Sequence, residues 1–366
     1  MKPNLYPATL PENEVEEFSY EYGATYDSYL INDGNRVIFR SKAANGLLGY
    51  VIDKDRYVHV IGGLLAQGEE EKTRLLEEFL ELSKQRNFKT VLFHNILEED
   101  LPLFQRFGVE ATKCGEEALI SLQETDWLGH QYEWVRRQES YGRRKGLQAE
   151  EVLIDSISRQ IDLEIATELQ SISDAHIQAT TAGTEFSYFA GRLLLEDCKR
   201  KRIFIARRKE HIEAFIICNP GQGGSFYAIE MYRYRRSAPR GTMPFLWMSA
   251  LRQLKSEGVE AASLCMMPFY NCGQKHPLDN GFLRCMNDFW FRHLNWLFNA
   301  KGLYHFKSRF RPTGRSMFTV CYPKTSLAGL CSAFALWELS SVISIRFIFG
   351  QAFRKLKRRR PTTVKS

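Results

Sequence analysis

The chain of 366 residues is long enough for one large or two ordinary domains. Its 44% hydrophobic and 25% charged residues exclude wholesale disorder, a collagen-like repeat and a multi-span membrane protein. The net charge of +7 is confined to one end: Arg354, Lys355, Lys357, Arg358, Arg359, Arg360 and Lys365 stand in the last 13 residues with no acid, so residues 1–353 balance to zero. A basic tail on a neutral body points to a polyanionic partner, a membrane surface or nucleic acid; the plainer alternative is a solubilising tail.

In chain order, a helix is predicted over 14–22. Strands follow at 36–41, 47–52 and 57–62, rich in Val, Ile and Tyr and separated by Gly, Asn and Asp. Residues 69–85 read as an amphipathic helix, with Leu75, Leu76, Phe79, Leu80 and Leu82 near one stripe. A buried-type strand at 90–94, a short helix at 101–107 and a strand at 117–122 complete the first half. Helices are expected at 130–145, ended by Gly146, and at 161–177. The second half repeats the order: strands at 202–207, 212–219 and 225–232, a helix at 243–257, and a strand at 261–267. An aromatic-rich helix at 281–299 and a short closing strand at 319–322 follow. A β-meander followed by strand–helix–strand is the layout of acetyltransferase-like folds. The predicted fold is therefore α+β, a tandem pair of acetyltransferase-like units, each a mixed sheet flanked by helices. The boundaries are 1–150 and 151–325.

Residues 326–366 are a separate tail. Its longest uncharged run, 325–337, is shorter than the roughly 20 residues that span a bilayer. Trp337, Phe347 and Phe353 precede the basic cluster, the pattern of an interfacial membrane helix; the alternative is a core helix with a frayed end. The eight cysteines form no CxxC pair and read as reduced thiols. The eight histidines show no HExxH or His/Cys cluster, so no metal site is expected. No apolar signal core stands at the N-terminus. The expected location is cytoplasmic, peripheral to the inner face of the cell membrane.

Several strings, in order, resemble one family. They are Lys113-Cys-Gly-Glu-Glu-Ala118, Gly129 and the basic helix up to Gly146. In the second half they are Ile229-Glu-Met-Tyr-Arg233, Ala238-Pro-Arg-Gly-Thr-Met243, Cys265-Met-Met-Pro-Phe269 and Lys301-Gly-Leu-Tyr-His-Phe-Lys-Ser-Arg-Phe-Arg-Pro312, ending near Tyr322-Pro323. Through these the chain resembles the cytosolic catalytic domain of the phosphatidylglycerol lysyltransferases, the aminoacyl-phosphatidylglycerol synthases. It differs from the family's usual pattern at Glu230 (usually Asp), at Pro244 (usually acidic), at Gly62-Gly63-Leu64 (usually Gly-Asp-Pro) and at Thr313 (commonly Trp).

The resemblance implies transfer of an aminoacyl group from aminoacyl-tRNA to the hydroxyl of an anionic phospholipid such as phosphatidylglycerol, with no metal or cofactor. Such a site must orient a hydroxyl, stabilise an oxyanion and hold an anionic headgroup. Glu230, late in its strand, suits an ammonium ligand or a base; Arg233 suits phosphate. A structural Glu–Arg pair is the alternative. Strand alternation puts Ile229 and Met231 on one side, Glu230 and Tyr232 on the other. If residues 306–311 are extended, Lys307, Arg309 and Arg311 share one face, fit for a headgroup; an edge strand with a solvated face is the alternative. His305 is a candidate proton carrier. Arg240 and Gly241 precede a helix start able to bind an anion. Arg136, Arg137, Arg143 and Arg144 form a basic helix suited to a tRNA acceptor stem, or a solvated helix paired with Glu133 and Glu139. Glu116 and Glu117 read as structural, at the junction of the units. Two rival functions remain: an acyltransferase using acyl-CoA or acyl-carrier protein, and an inactive membrane-bound binding module. Ala238 and Met243 stand where a coenzyme A loop carries Gln/Arg and Gly/Ala, which disfavours the first.

Overall fold

The computed structural model describes residues 11–34, 36–179, 191–296 and 298–336. Both predicted meanders form. The first half runs α1 (Glu12–Tyr22), a 3-10 turn (Ser28–Asn32), β1 (Val37–Arg40), β2 (Gly46–Asp53), β3 (Tyr57–Ala66), α2 (Gly68–Gln85), β4 (Thr90–Leu97), α3 (Leu101–Gln105) and β5 (Glu110–Ser121). After α4 (Glu133–Arg144) come β6 (Leu147–Glu151), α5 (Leu163–Ala179), β7 (Arg202–Arg208), β8 (His211–Gly221), β9 (Phe226–Tyr234), α6 (Thr242–Ser256) and β10 (Ala261–Pro268). The chain closes with α7 (Gly281–His293), α8 (Ala300–Ser308), β11 (Thr313–Tyr322) and α9 (Leu327–Leu336).

All eleven strands among the described residues join one sheet, in the order β1-β2-β3-β4-β11-β5-β10-β9-β8-β7-β6. Each half has an antiparallel meander and then one parallel step, β3 to β4 and β9 to β10, crossed by a helix. β11 leaves its own half and inserts between β4 and β5, antiparallel to both. β5 in turn pairs with β10. The two halves therefore complete one another's sheets. Glu117, wholly buried on β5, fastens this junction. It accepts from Arg315 of β11 (Nε 3.1 Å, Nη2 2.5 Å), Ser263 Oγ of β10 (2.7 Å) and the Tyr26 N–H (3.0 Å).

The sheet is covered on both faces. On one, Phe79 of α2 and Phe104 of α3 pack on Phe93, and Phe245 and Trp247 of α6 pack with Phe310 after α8. On the other lie Val15 of α1, Leu30 and Ile31 of the 3-10 turn, and Leu169 and Ile172 of α5. Burial of each such side chain is worth about 1.5–3 kcal/mol.

Three local expectations are corrected. The helix expected over 281–299 ends at His293, and Asn299 caps a new one that starts at Ala300 by accepting the Gly302 N–H at 3.0 Å. The segment expected to be extended instead closes this second helix, α8, through Ser308 and turns at Arg309–Phe310. Leu303, Phe306 and Phe310 recur at helical spacing, and that period prevails over the alternation of cations. Finally, the first ten residues of the tail after Ser326 are a docked helix. Leu330 and Ala333 of α9 pack on Leu92 and Cys321, and Ser332 Oγ meets His59 Nε2 at 2.9 Å. Residues 337–366, with Trp337, Phe347, Phe353 and the basic cluster, lie outside the described residues.

Candidate functional site

β9 and β10 pair only through Phe226–Ala228 and Ala261–Ser263. Beyond that point both strands are bulged. On β9, Ile229 pairs with Cys218 and Met231 with Ile217, leaving Glu230 as the extra residue. On β10 the register slips between Ser263 and Met266, and Cys265 adopts a φ of 63°. The strands splay, and the Cys265 thiol donates to Ile229 O across the gap at 3.0 Å.

The bulge overturns the expected alternation. Ile229 packs in the core beneath α6, whereas Met231 packs beneath α5, on the other face. The Glu230 carboxylate stands on the side of the 3-10 turn. A Cβ on Gly191 would lie 3.1 Å from Glu230 Oε2, 3.2 Å from Asp33 Oδ2 and 2.9 Å from Leu30 Cδ2, so both carboxylates converge on that glycine. Lys201 Nζ lies 3.5 Å from Asp33 Oδ1. Arg233 shares this face; its charge, after burial, helps hold His176 of α5 down at about 4. Asp33 was not among the residues expected from sequence.

Lys307 reaches the same gap from the opposite face. It is buried, and its Nζ donates to Met266 O of β10 at 2.7 Å. Burial brings its pKa down to about 8, against the attraction of Cys265 and Glu117. The Cys265 thiol, raised first by burial, is lowered by Lys307 and raised by Glu230. One helical turn before Lys307, Tyr304 stacks on Tyr270 at 4.1 Å, their hydroxyls 3.3 Å apart. This aromatic pair also escaped the sequence reading.

The other candidates fall apart into separate places. His305 is exposed. Arg309, also exposed, lies over the Trp134 ring at 5.7 Å. Arg311 donates to Gln131 O at 3.2 Å. Lys307 is buried in the last turn of α8 while Arg309 and Arg311 follow the helix end and point elsewhere, so the expected single face of Lys307, Arg309 and Arg311 does not exist. Gly241, at φ 89°, faces α4, where a Cβ would lie 2.9 Å from Gln138 Oε1. At the start of α6 the Thr242 N–H is taken by Pro239 O, and Pro244 brings no N–H, so the expected anion-binding helix start is short of donors.

Arg240 instead joins the basic helix. Glu133, Arg136, Arg137, Ser140, Tyr141 and Arg144 form one stripe of α4 and line, with Arg240, a groove of about 750 Å³. Arg137 pairs with Glu133 at 2.6 Å, and Arg136 Nη1 donates to Trp127 O at 2.8 Å. Arg143 points elsewhere: it pairs with Glu139 at 3.2 Å and lies over Phe245 at 6.0 Å.

Two halves that share one sheet, each with a parallel step, define a tandem acetyltransferase-like α+β protein with its splayed gap in the second half. Comparison with known proteins narrows the class. Residues 20–321 match the family model described as phosphatidylglycerol lysyltransferase, C-terminal, and the chain belongs to that family. It is 25% identical over 342 residues to the phosphatidylglycerol lysyltransferase of Staphylococcus aureus (strain MSSA476), covering 91% of this chain and 37% of the relative. Identity to the Bacillus subtilis (strain 168) enzyme of that name is 25% over 309 residues, covering 82% and 32%. The chain thus spans about a third of the length of these relatives. Among solved structures, L-PGS from Bacillus licheniformis superposes with a TM-score of 0.73 at 21% identity, covering 90% of this chain and 96% of that one. The C-terminal domain of a putative lysylphosphatidylglycerol synthetase from Agrobacterium fabrum gives 0.71 at 22%, covering 89% and 96%.

Proposed function

We propose that this chain moves an aminoacyl group from aminoacyl-tRNA to the hydroxyl of an anionic phospholipid such as phosphatidylglycerol. The carrying observation is the gap between β9 and β10, bounded by Glu230 on one face and Lys307 on the other, in a member of this family. Glu230, with Asp33 near it, suits the ammonium of the donor or the proton of the lipid hydroxyl. Lys307, buried and fixed on Met266 O, suits the oxyanion that develops at the ester carbon or the lipid phosphate. The groove of Arg136, Arg137, Arg144 and Arg240 suits the phosphates of a tRNA acceptor end, with Arg143 outside it. The scarcity of donors at the start of α6 disfavours a coenzyme A pyrophosphate there and so the acyl-CoA alternative. The reaction belongs at the cytosolic face of the membrane.

The test is incubation of the protein with radiolabelled lysyl- or alanyl-tRNA and phosphatidylglycerol vesicles, followed by lipid extraction. Label in the lipid phase supports the reading. Product formed only from acyl-CoA or acyl-carrier protein supports the alternative enzyme, and no product with any donor supports a binding module.

A further inference from the structure

α7 is amphipathic with an apolar outer face. Its inner side chains Leu283, Asn287 and Trp290 are buried. Its outer stripe carries Phe282 (61% exposed), Cys285 and Phe289 (52%), spaced i, i+3, i+7, and Trp296 (48%) stands just past its end. Two large aromatics left in water on one helix edge, with a third just past its end, are not a scatter of single apolar residues. Around them stand Lys275, Arg284, Arg292 and Lys301 against two acids, Asp279 and Asp288, each paired with an arginine of α7.

α9 packs beside it. Leu283 and Met286 meet Leu330 and Ala333, and Trp290 stacks with Phe334 at 5.8 Å. α9 contains no charged residue, and its Leu327 is 69% exposed, with exposed Lys324 three residues earlier. From its end the chain continues for 30 residues whose sequence holds eight cations and one acid, Glu338.

We propose that the outer faces of α7 and α9 are the surface on which the protein lies against an anionic lipid bilayer, with Phe282, Phe289 and Trp296 entering the interface. Aromatic rings flanked by Lys and Arg match both layers of that partner, acyl chains below and anionic headgroups above. No helix among the described residues is long and apolar enough to cross a membrane, so this contact lies on the bilayer. The same helices lead to the candidate site: the chain passes from α7 directly into α8, which carries Lys307. The inference rests on the reading that the acceptor is a membrane lipid.

The test is flotation of the full chain with vesicles of phosphatidylcholine alone or with one quarter phosphatidylglycerol. The double variant Phe282→Ser/Phe289→Ser, with unchanged circular dichroism and melting temperature, should bind the anionic vesicles at least tenfold more weakly. The conservative Phe282→Leu/Phe289→Leu should retain most binding, and added salt should weaken the wild type. Should the Ser pair unfold, Trp296→Ser gives the same readout. Vesicle binding unchanged in both Ser variants overturns the proposal. So does a wild-type dimer that the Ser pair turns monomeric without loss of vesicle binding, which assigns the face to a second copy. Binding that appears only after residues 337–366 are deleted also overturns it, since the face is then covered by that segment. Transfer to a short-chain, water-soluble phosphatidylglycerol separates the two readings. If the wild type aminoacylates no lipid while the Ser pair loses vesicle binding, the docking surface stands and the transferase reading fails. If transfer proceeds and vesicle binding does not depend on these rings, the reverse holds.

Discussion

Glu230 and Lys307 stand on opposite faces of the sheet where β9 and β10 part, and the Cys265 thiol feels the charge of both. A paired sheet would separate two such groups by a wall of backbone. Here the bulge at Glu230 and the slip in β10 remove that wall. In the proposed reaction, donor and acceptor would reach this gap from opposite faces of the sheet rather than compete for one pocket.

The first prediction follows from this relationship. Glu230→Gln keeps the shape of the side chain and removes its charge. Transfer should fall about a hundredfold or more if the carboxylate takes a proton, while the melting temperature stays within a degree or two. Glu230→Asp, which restores the residue usual in the family, should keep much more activity. Unchanged turnover of the Gln variant in the lipid-extraction assay removes Glu230 from the mechanism.

Lys307 gives a second prediction, in which stability and activity separate. Its pKa is lowered to about 8 from 10.5 by burial. Below pH 8 both folded and unfolded chains hold the proton, and the full cost of burying the charge is present. Between 8 and 10.5 the folded state alone releases it, so this group adds stability as pH rises through that window. Buried thiols titrate with the opposite sign at the upper end, so the difference between wild type and Lys307→Met is the useful quantity. Denaturant titrations at pH 7 and pH 9.5 should show the variant losing this pH-dependent gain, and its transfer rate should fall at both values. Equal slopes against pH in the two proteins contradict the assignment.

Much of this was legible in the sequence, and the losses have physical causes. Both meanders and their crossover helices could be read because Val/Ile/Tyr runs and helical stripes such as Leu75-Leu76-Phe79-Leu80 state their periods locally. The exchange of β11 into the first half could not be read, since partner choice between distant strands leaves no local pattern. Residues 306–311 misled because cations at every second position coincided with apolar residues at helical spacing. The bulges at Glu230 and Cys265 are one-residue insertions in otherwise ordinary strands, so alternation failed at Glu230. The basic stripe of α4 was visible, but that Arg240 joins it and Arg143 leaves it depends on how α6 packs.

A third prediction concerns the junction. Arg315→Ala leaves the wholly buried Glu117 carboxylate without its guanidinium and frees the Ala24 carbonyl that Arg315 also binds at 2.6 Å. Breaking one side of a buried pair costs about 3–5 kcal/mol. The variant should unfold at clearly lower denaturant, and pairing it with Glu117→Gln should recover part of the loss. A melting temperature like that of the wild type contradicts the role.

The groove on α4 sorts its arginines. Arg136→Ala, Arg137→Ala, Arg144→Ala and Arg240→Ala should each weaken tRNA binding and lower the slope of log affinity against log salt by about 0.7–0.9 if the residue contacts a phosphate. Arg143→Ala, whose side chain lies against Glu139 and Phe245, should leave that slope unchanged. Filter binding over a salt series decides. A loss at Arg143 equal to that at Arg144 moves the nucleic-acid surface off the groove.

The last prediction is acid lability at the seam between α9 and the sheet. His59 and His94 stack with His59 Nδ1 3.1 Å from His94 Nε2, and His59 Nε2 meets Ser332 Oγ of α9, which donates to Asp53 Oδ2 at 2.7 Å. Burial lowers His59 to about 4, against the pull of Asp53, and lowers His94 well below its usual value, helped by His59. The unfolded chain takes up these protons near pH 6.5 and the folded chain does not, so their contribution is present above 6.5 and is lost as pH falls toward 4. Each proton taken up only on unfolding costs about 1.4 kcal/mol per pH unit in that window. Buried Asp27, raised to about 6 by desolvation, titrates with the opposite sign between 3.8 and 6 and blunts the trend. Melting temperatures of the wild type should therefore fall between pH 6.5 and 4, fall more steeply in Asp27→Asn, and fall less in His59→Gln. Hydrogen exchange should show α9 opening first, because its seam with the sheet includes the histidine pair. Exchange in α9 that does not quicken at pH 5, or a His59→Gln protein as acid-labile as the wild type, places the weak point elsewhere.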